Sequence, residues 1–103
     1  IVNLCTEIKE NRKGNVVLNQ LLRSGTSIGA NIHEANYASS KADFINKFQI
    51  ALKECYESDY WLELFLETKI ISTETYATMH QNCSKIRTRL ISSLNTAKQN
   101  EMK

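Results

Sequence analysis

Proline is absent from this 103-residue chain and glycine occurs three times, so the two residues that most often break and turn a backbone are nearly missing. A sheet of many short strands needs such breaks, which leaves helices as the natural use of the chain. Cysteine is sparse: Cys5, Cys55 and Cys83 are odd in number, widely spaced and free of any C-x-x-C pair. That pattern fits neither a disulfide framework nor a zinc knuckle and agrees with a reducing compartment. Cys55 and Cys83 fall on apolar stripes, where a thiol packs as a small hydrophobe. Histidine is equally thin. His33 and His80 lie far apart, and Tyr37 stands where H-E-x-x-H requires its second ligand, so neither a metal nor a cofactor is expected. No apolar run approaches the roughly 18 to 20 residues that span a bilayer, and no basic-then-apolar targeting segment opens the chain, which therefore reads as soluble and cytoplasmic. Thirteen Lys and Arg against eleven Asp and Glu leave a net charge of +2, too little by itself to announce a polyanion as partner.

What is present is helical rhythm in one domain over residues 1–103, 42% of them hydrophobic. Four segments are expected. The first, about 1–12, carries Leu4, Cys5 and Ile8 at helical spacing, stops near Gly14-Asn15 and reads as the remnant of a longer helix. The second, about 16–37, places Leu18, Leu21, Gly25, Ile28, Ile32 and Ala35 at alternating steps of three and four. The third, about 41–70, opens at Ser40-Lys41-Ala42-Asp43, a hydroxyl cap followed by an acid in the first turn. Its apolar seam is broken where Ser58 and Asp59 take the buried step, so a polar contact must be satisfied there. The fourth, about 74–98, follows Ser72-Thr73-Glu74 and shows Tyr76, Met79, Cys83, Ile86, Leu90, Leu94 and Ala97. Short connections make sequential helices antiparallel, so an all-α, up-down-up-down four-helix bundle is expected.

Between Gly14 and His33 the only charged residue is Arg23, although a surface helix ordinarily carries Lys and Glu on its far face. Gln20, Ser24, Ser27, Asn31 and Glu34 form a second stripe of mostly short polar side chains, with Thr26 and Ala30 beside it. A second packing partner is the natural account, and a homo-oligomer is expected. Trp61 and Leu64 point the same way, since Leu62 takes the inward seam and its neighbours would otherwise be exposed.

Gly25-Thr26-Ser27-Ile28-Gly29 satisfies the letters of G-x-S-x-G, but the nucleophile elbow needs a strand before it, whereas one helical period runs through these residues. No enzymatic activity is expected. The same glycines spell G-x-x-x-G, which in a soluble helix means close helix contact. Glu54, Glu57, Glu63 and Glu67 read as a solvated or interhelical face. Charge is uneven: residues 1–33 hold four basic and two acidic groups, 34–70 four and seven, 71–103 five and two, net +2, −3 and +3. Lys85, Arg87, Arg89 and Lys98 make a basic edge on the last helix, and copies assembled about an axis would multiply its potential toward phosphates.

The run from Gln20 through Arg23-Ser24-Gly25-Thr26-Ser27-Ile28-Gly29-Ala30-Asn31-Ile32-His33-Glu34 to Ala35, then Asp43-Phe44-Ile45-x-Lys47 and Ile50-Ala51-Leu52-Lys53-Glu54-x-x-Glu57-x-x-Tyr60-Trp61-Leu62-Glu63-Leu64, resembles the bacterial four-helix-bundle proteins encoded in intervening sequences of 23S rRNA genes. The resemblance implies a ring-like homopentamer of antiparallel four-helix bundles without enzymatic activity. It also implies kinship with the accessory variability determinant of diversity-generating retroelements, which binds nucleic acid and a reverse transcriptase. Many relatives carry Gly where Ala35 stands. By position, Arg23, Ser27, Asn31, Glu34, Glu54 and Glu57 match the family's polar pattern. With Ser24 and Trp61 they are expected to bridge helices or subunits, a paired, partly buried Arg and Glu fixing register at a cost of roughly 3 to 5 kcal/mol if one partner is lost. The functions left are an adaptor for RNA or DNA, or a structural scaffold presenting a site to another protein. A salt-dependent gel shift separates them.

Overall fold

The three-four rhythm of apolar residues is carried by three helices, α1 (Asn15–Ala35), α2 (Lys41–Glu67) and α3 (Thr73–Met102), in the computed structural model, which describes residues 15–102. These residues are all-α, as expected. Of the four helices read from the sequence, the segment 1–12 lies outside the described residues, and so does Cys5.

Local chemistry sets where each helix begins and ends. Ser40 is extended (φ −156°, ψ 168°) and its Oγ accepts from the Asp43 amide at 3.1 Å, the expected cap of α2. Ser72 starts α3 in the same way, its Oγ accepting from the Thr75 amide at 3.0 Å. The expected end of the second segment at 37 is corrected to Ala35: the amides of Asn36, Tyr37 and Ala38 bond three residues back, to His33, Glu34 and Ala35, which tightens the chain into a turn. The third segment stops at Glu67 rather than 70. There the Ile70 amide donates to the Phe65 carbonyl at 2.9 Å and the Lys69 amide to the Leu66 carbonyl at 3.1 Å, the paired bonds of a Schellman cap. Lys69 takes the left-handed position usually given to glycine, with φ 61°, so no glycine announces this stop. The last helix runs to Met102, past the expected 98.

The connections at 36–40 and 68–72 are too short to return the chain to the same end, so α1, α2 and α3 run antiparallel in sequence. Buried apolar residues form a row of clusters along α2. Leu18, Leu21, Leu62, Phe65, Ile71 and Cys83 pack at the α2–α3 turn; Ile28, Ala51, Cys55 and Leu90 pack in the middle; Ile45, Leu94 and Ala97 pack at the far end. Burying one such Leu or Phe contributes about 1.5 to 3 kcal/mol. Both outer helices pack along α2, and no comparable packing joins α1 to α3. A groove of about 590 Å³ is left between them, floored by Leu21, Ile28, Leu62 and Cys83 and rimmed by Lys85 and Arg89. Among the described residues, no helix is long and apolar enough to cross a membrane.

Candidate functional site

The polar residues read from the sequence meet chiefly on the two sides of α2. On the α1 side, the Arg23 guanidinium reaches Glu54 at 3.3 Å and also bonds Glu57, while its Nε donates to Gln20 at 3.3 Å. Trp61 Nε1 donates to the same Glu57 carboxylate at 3.3 Å. Arg23 of α1 is thus paired with Glu54 and Glu57 of α2 within one chain, while the Trp61 bond stays inside α2. The Arg23 hydrogen bond holds the Glu57 carboxyl below its ordinary value, whereas burial foremost raises that of Glu54, against the pull of Arg23. Both partners raise the Arg23 guanidinium, its hydrogen bond to Glu57 foremost. The Arg23 side chain is 48% exposed and Glu54 13%, so the pair is partly buried as expected, but with the guanidinium half in water the expected cost of roughly 3 to 5 kcal/mol is too large.

Two residues of the stripe expected to meet a second packing partner, Ser24 and Glu34, contact α2 of the same chain. Ser24 is completely buried, its Oγ 2.8 Å from the Oγ of Ser58, and it also bonds the Leu21 carbonyl. Two hydroxyls facing each other satisfy the polar break that Ser58 makes in the α2 seam. Ser27 and Asn31 are half-buried, with Asn31 Nδ2 donating to the Ser27 carbonyl and Oγ at 2.9 and 3.1 Å. Glu34 pairs with Lys47 of α2 at 3.0 Å. With Ser24 turned to Ser58, the exposed positions among the described residues of α1 are Asn19, Arg23, Thr26, Gly29, Ala30, His33 and Glu34. A Cβ added to Gly29 would meet nothing within 4 Å, so within one chain this glycine serves no close helix approach. Trp61 and Leu64, expected outside, are half-buried, and Trp61 packs on the cluster of Leu18, Leu21 and Phe65.

On the α3 side, Asp59 is 8% exposed and accepts from Arg87 Nη1 at 2.7 Å, with His80 Nδ1 3.0 Å from its other oxygen. Arg87 also donates to Ser84 Oγ at 3.2 Å and lies over the Tyr56 ring at 5.3 Å, and the His80 ring stacks on Tyr76. Arg87, expected on the basic edge, is instead the cation that neutralises a buried carboxylate. Spacing along α3 could not reveal this, because the partner lies 28 residues away. The interruption at Asp59 does signal that some such partner exists.

Lys85, Arg89 and Lys98 stand exposed on α3 and have no ion pair among the described residues. The thiols of Cys55 and Cys83 are buried and each is pushed up to about 11, burial being the main cause. At neutral pH they are poor nucleophiles. Ser27 lies inside α1, so no strand-to-helix elbow exists around it. Among the described residues no group of three or more His, Cys, Asp or Glu could hold a metal ion.

Comparison with known proteins agrees with this geometry. A family model described as 23S rRNA-intervening sequence protein matches residues 1–92. A crystal structure of a protein of unknown function from the S23 ribosomal protein family of Bacteroides thetaiotaomicron is similar at 49% identity and a TM-score of 0.87, over 90% of this chain and 86% of that one. Among curated proteins, none matches.

Proposed function

The chain belongs to the family of 23S rRNA-intervening sequence proteins, and from that premise we propose that it is a non-enzymatic oligomeric adaptor that holds RNA or DNA on the basic edge of α3. The observation that carries the reading is the contrast between the two kinds of charge. Glu54, Glu57 and Asp59 are neutralised by cations of their own chain, whereas Lys85, Arg89 and Lys98 are unpaired among the described residues and open to water. Cations in that state can displace condensed counterions from a phosphate backbone.

The assembly is a cytoplasmic ring-like homopentamer of four-helix bundles. Two features support it. The groove between α1 and α3 has the position of a fourth corner, and a helix over residues 1–12, about 18 Å long, would lay Leu4, Cys5 and Ile8 into it beside α1. The outward face of α1 carries Thr26, Gly29 and Ala30, small and uncharged, which suits contact with another copy. A ring repeats each basic edge, so the potential of the copies adds.

A mobility shift with labelled RNA and DNA at rising salt tests the adaptor. Binding should weaken steeply with salt and fall further in Lys85→Ala/Arg89→Ala/Lys98→Ala; affinity that salt and the triple change leave untouched refutes it. A native mass of a monomer at micromolar concentration refutes the ring. The scaffold reading draws on Tyr56 and Tyr60, exposed one turn apart on α2; an intact oligomer that shifts no nucleic acid at low salt would favour it.

A further inference from the structure

The groove between α1 and α3 does not end at Arg89. Two further hollows continue along α3: one of about 260 Å³ between Phe48, Ile86, Arg89 and Ser93, and one of about 400 Å³ lined by Lys41, Phe44, Ser92, Ser93, Thr96 and Ala97. Arg89 is shared with the first groove and Ser93 joins these two hollows, so the three adjoin one another.

We infer that this end of the groove is a subsite for one nucleotide of a single strand, its phosphate held by Lys41, Arg89 and the hydroxyls of α3 and its base laid on Phe44. The inference rests on the adaptor reading above and adds a place and a strand preference to it. Four observations carry it. First, no carboxylate is among the described residues that line the two hollows. Asp43, the nearest acid in sequence to Lys41, is engaged at the helix cap, where its Oδ2 accepts from the Ser39 amide at 3.3 Å. Second, Lys41 and Arg89 are exposed and have no ion pair among the described residues. Third, the hydroxyls of Ser92, Ser93 and Thr96 make no hydrogen bond among the described residues, whereas those of Thr26, Thr78 and Thr88, also within helices, each bond the carbonyl four residues back, at 2.7, 3.2 and 2.9 Å. The hydroxyls of the hollow are thus free to donate to an anion. Fourth, Phe44 is half-buried with its ring 4.4 Å from that of Phe48, an aromatic wall fixed by the core behind it. Bases of a single strand stack on such a ring, while a duplex keeps its bases inside.

The test is fluorescence anisotropy of a labelled single strand and of a hairpin duplex on the full chain, at several salt concentrations. The variants are Lys41→Ala, Ser92→Ala/Ser93→Ala/Thr96→Ala and Phe44→Leu, with Lys85 and Lys98 intact. We expect single-strand affinity to fall about tenfold in Phe44→Leu. We expect the salt slope to flatten by about 0.7 in Lys41→Ala, the change that follows when one phosphate is no longer neutralised, and duplex binding to change far less. If the wild type binds but Lys41→Ala and the triple hydroxyl variant bind equally well, the subsite is wrong and the adaptor stands. Equal losses for strand and duplex overturn the subsite as well. A wild type that binds neither at low salt overturns both. Melting followed by circular dichroism checks folding; should Phe44→Leu unfold, the solvent-facing Lys41→Ala decides.

Discussion

Removing the Asp59 carboxylate should be the most damaging single polar change in this protein. Asp59 sits at the α2–α3 seam with its side chain 11% exposed, and it holds Arg87 at 2.7 Å and His80 at 3.0 Å. Asp59→Ala removes two charge-assisted interactions, each contributing about 1.5 to 3 kcal/mol, and strands Arg87 beside the core. Breaking a fully buried pair costs about 3 to 5 kcal/mol. The Arg87 side chain is 24% exposed and keeps the Tyr56 ring and Ser84, so the lower end, about 3 kcal/mol, is the expected loss. For a domain of this size that is a fall in melting temperature of about 12 to 24 °C. Glu63→Ala, one turn further along α2 at an exposed acid with no ion pair among the described residues, should stay within about 0.5 kcal/mol. Urea unfolding of Asp59→Ala, Arg87→Ala and the double variant gives the coupling directly, and a favourable interaction of about 1 to 3 kcal/mol is expected. If Asp59→Ala unfolds at the wild-type midpoint, or the two single losses simply add, the seam does not depend on this network.

Three further outcomes follow from the other interactions. Arg23→Ala should cost only about 1 kcal/mol, because the guanidinium is half in water. Glu57, held low by Arg23, contributes stability above the ordinary carboxylate range and loses it as pH falls through its lower folded value; Glu54, raised by burial, acts in the opposite sense, its contribution being lost as pH rises through its folded value. Stability measured against pH should therefore lose part of its acid limb in Glu57→Gln, and an unchanged limb contradicts the assignment. Ser24→Ala should cost about 1 to 3 kcal/mol by leaving the Ser58 hydroxyl with no partner in the core, while Ser24→Ala/Ser58→Ala together should cost less than the two singles summed; additive losses in chemical denaturation would argue against the hydroxyl pair. On a Cys5→Ser background, Cys55 and Cys83 should resist Ellman's reagent at pH 8 until the chain unfolds, since both thiols are buried and lifted to about 11; fast native labelling would show that these seams open readily.

Much of this architecture is written in local features. The spacing of Leu18, Leu21 and Ile28, of Ile45, Cys55 and Leu62, and of Cys83, Leu90 and Leu94 identifies the buried side of each helix, because a period of 3.6 residues leaves little choice of face. Ser40 and Ser72 start their helices as hydroxyl caps do. The ending at Glu67 escapes such reading, because Lys69 holds a left-handed turn that glycine would have signalled.

Which polar groups meet is beyond the reach of periodicity. The pattern of α1 and α2 shows that Ser24, Ser58 and Asp59 are irregular; it does not say that Ser24 faces Ser58, or that Asp59 takes Arg87 away from the basic edge and leaves Lys85, Arg89 and Lys98 in water. Each of these pairings joins residues at least 28 positions apart, and a rotation of one helix by a fraction of a turn would exchange the partners without disturbing the apolar rhythm. The helices and their buried faces follow from the chain's own short-range periodicity. The charges left free to meet a ligand follow from how neighbouring helices rotate against one another, because hydrogen bonds are directional and apolar contacts are not.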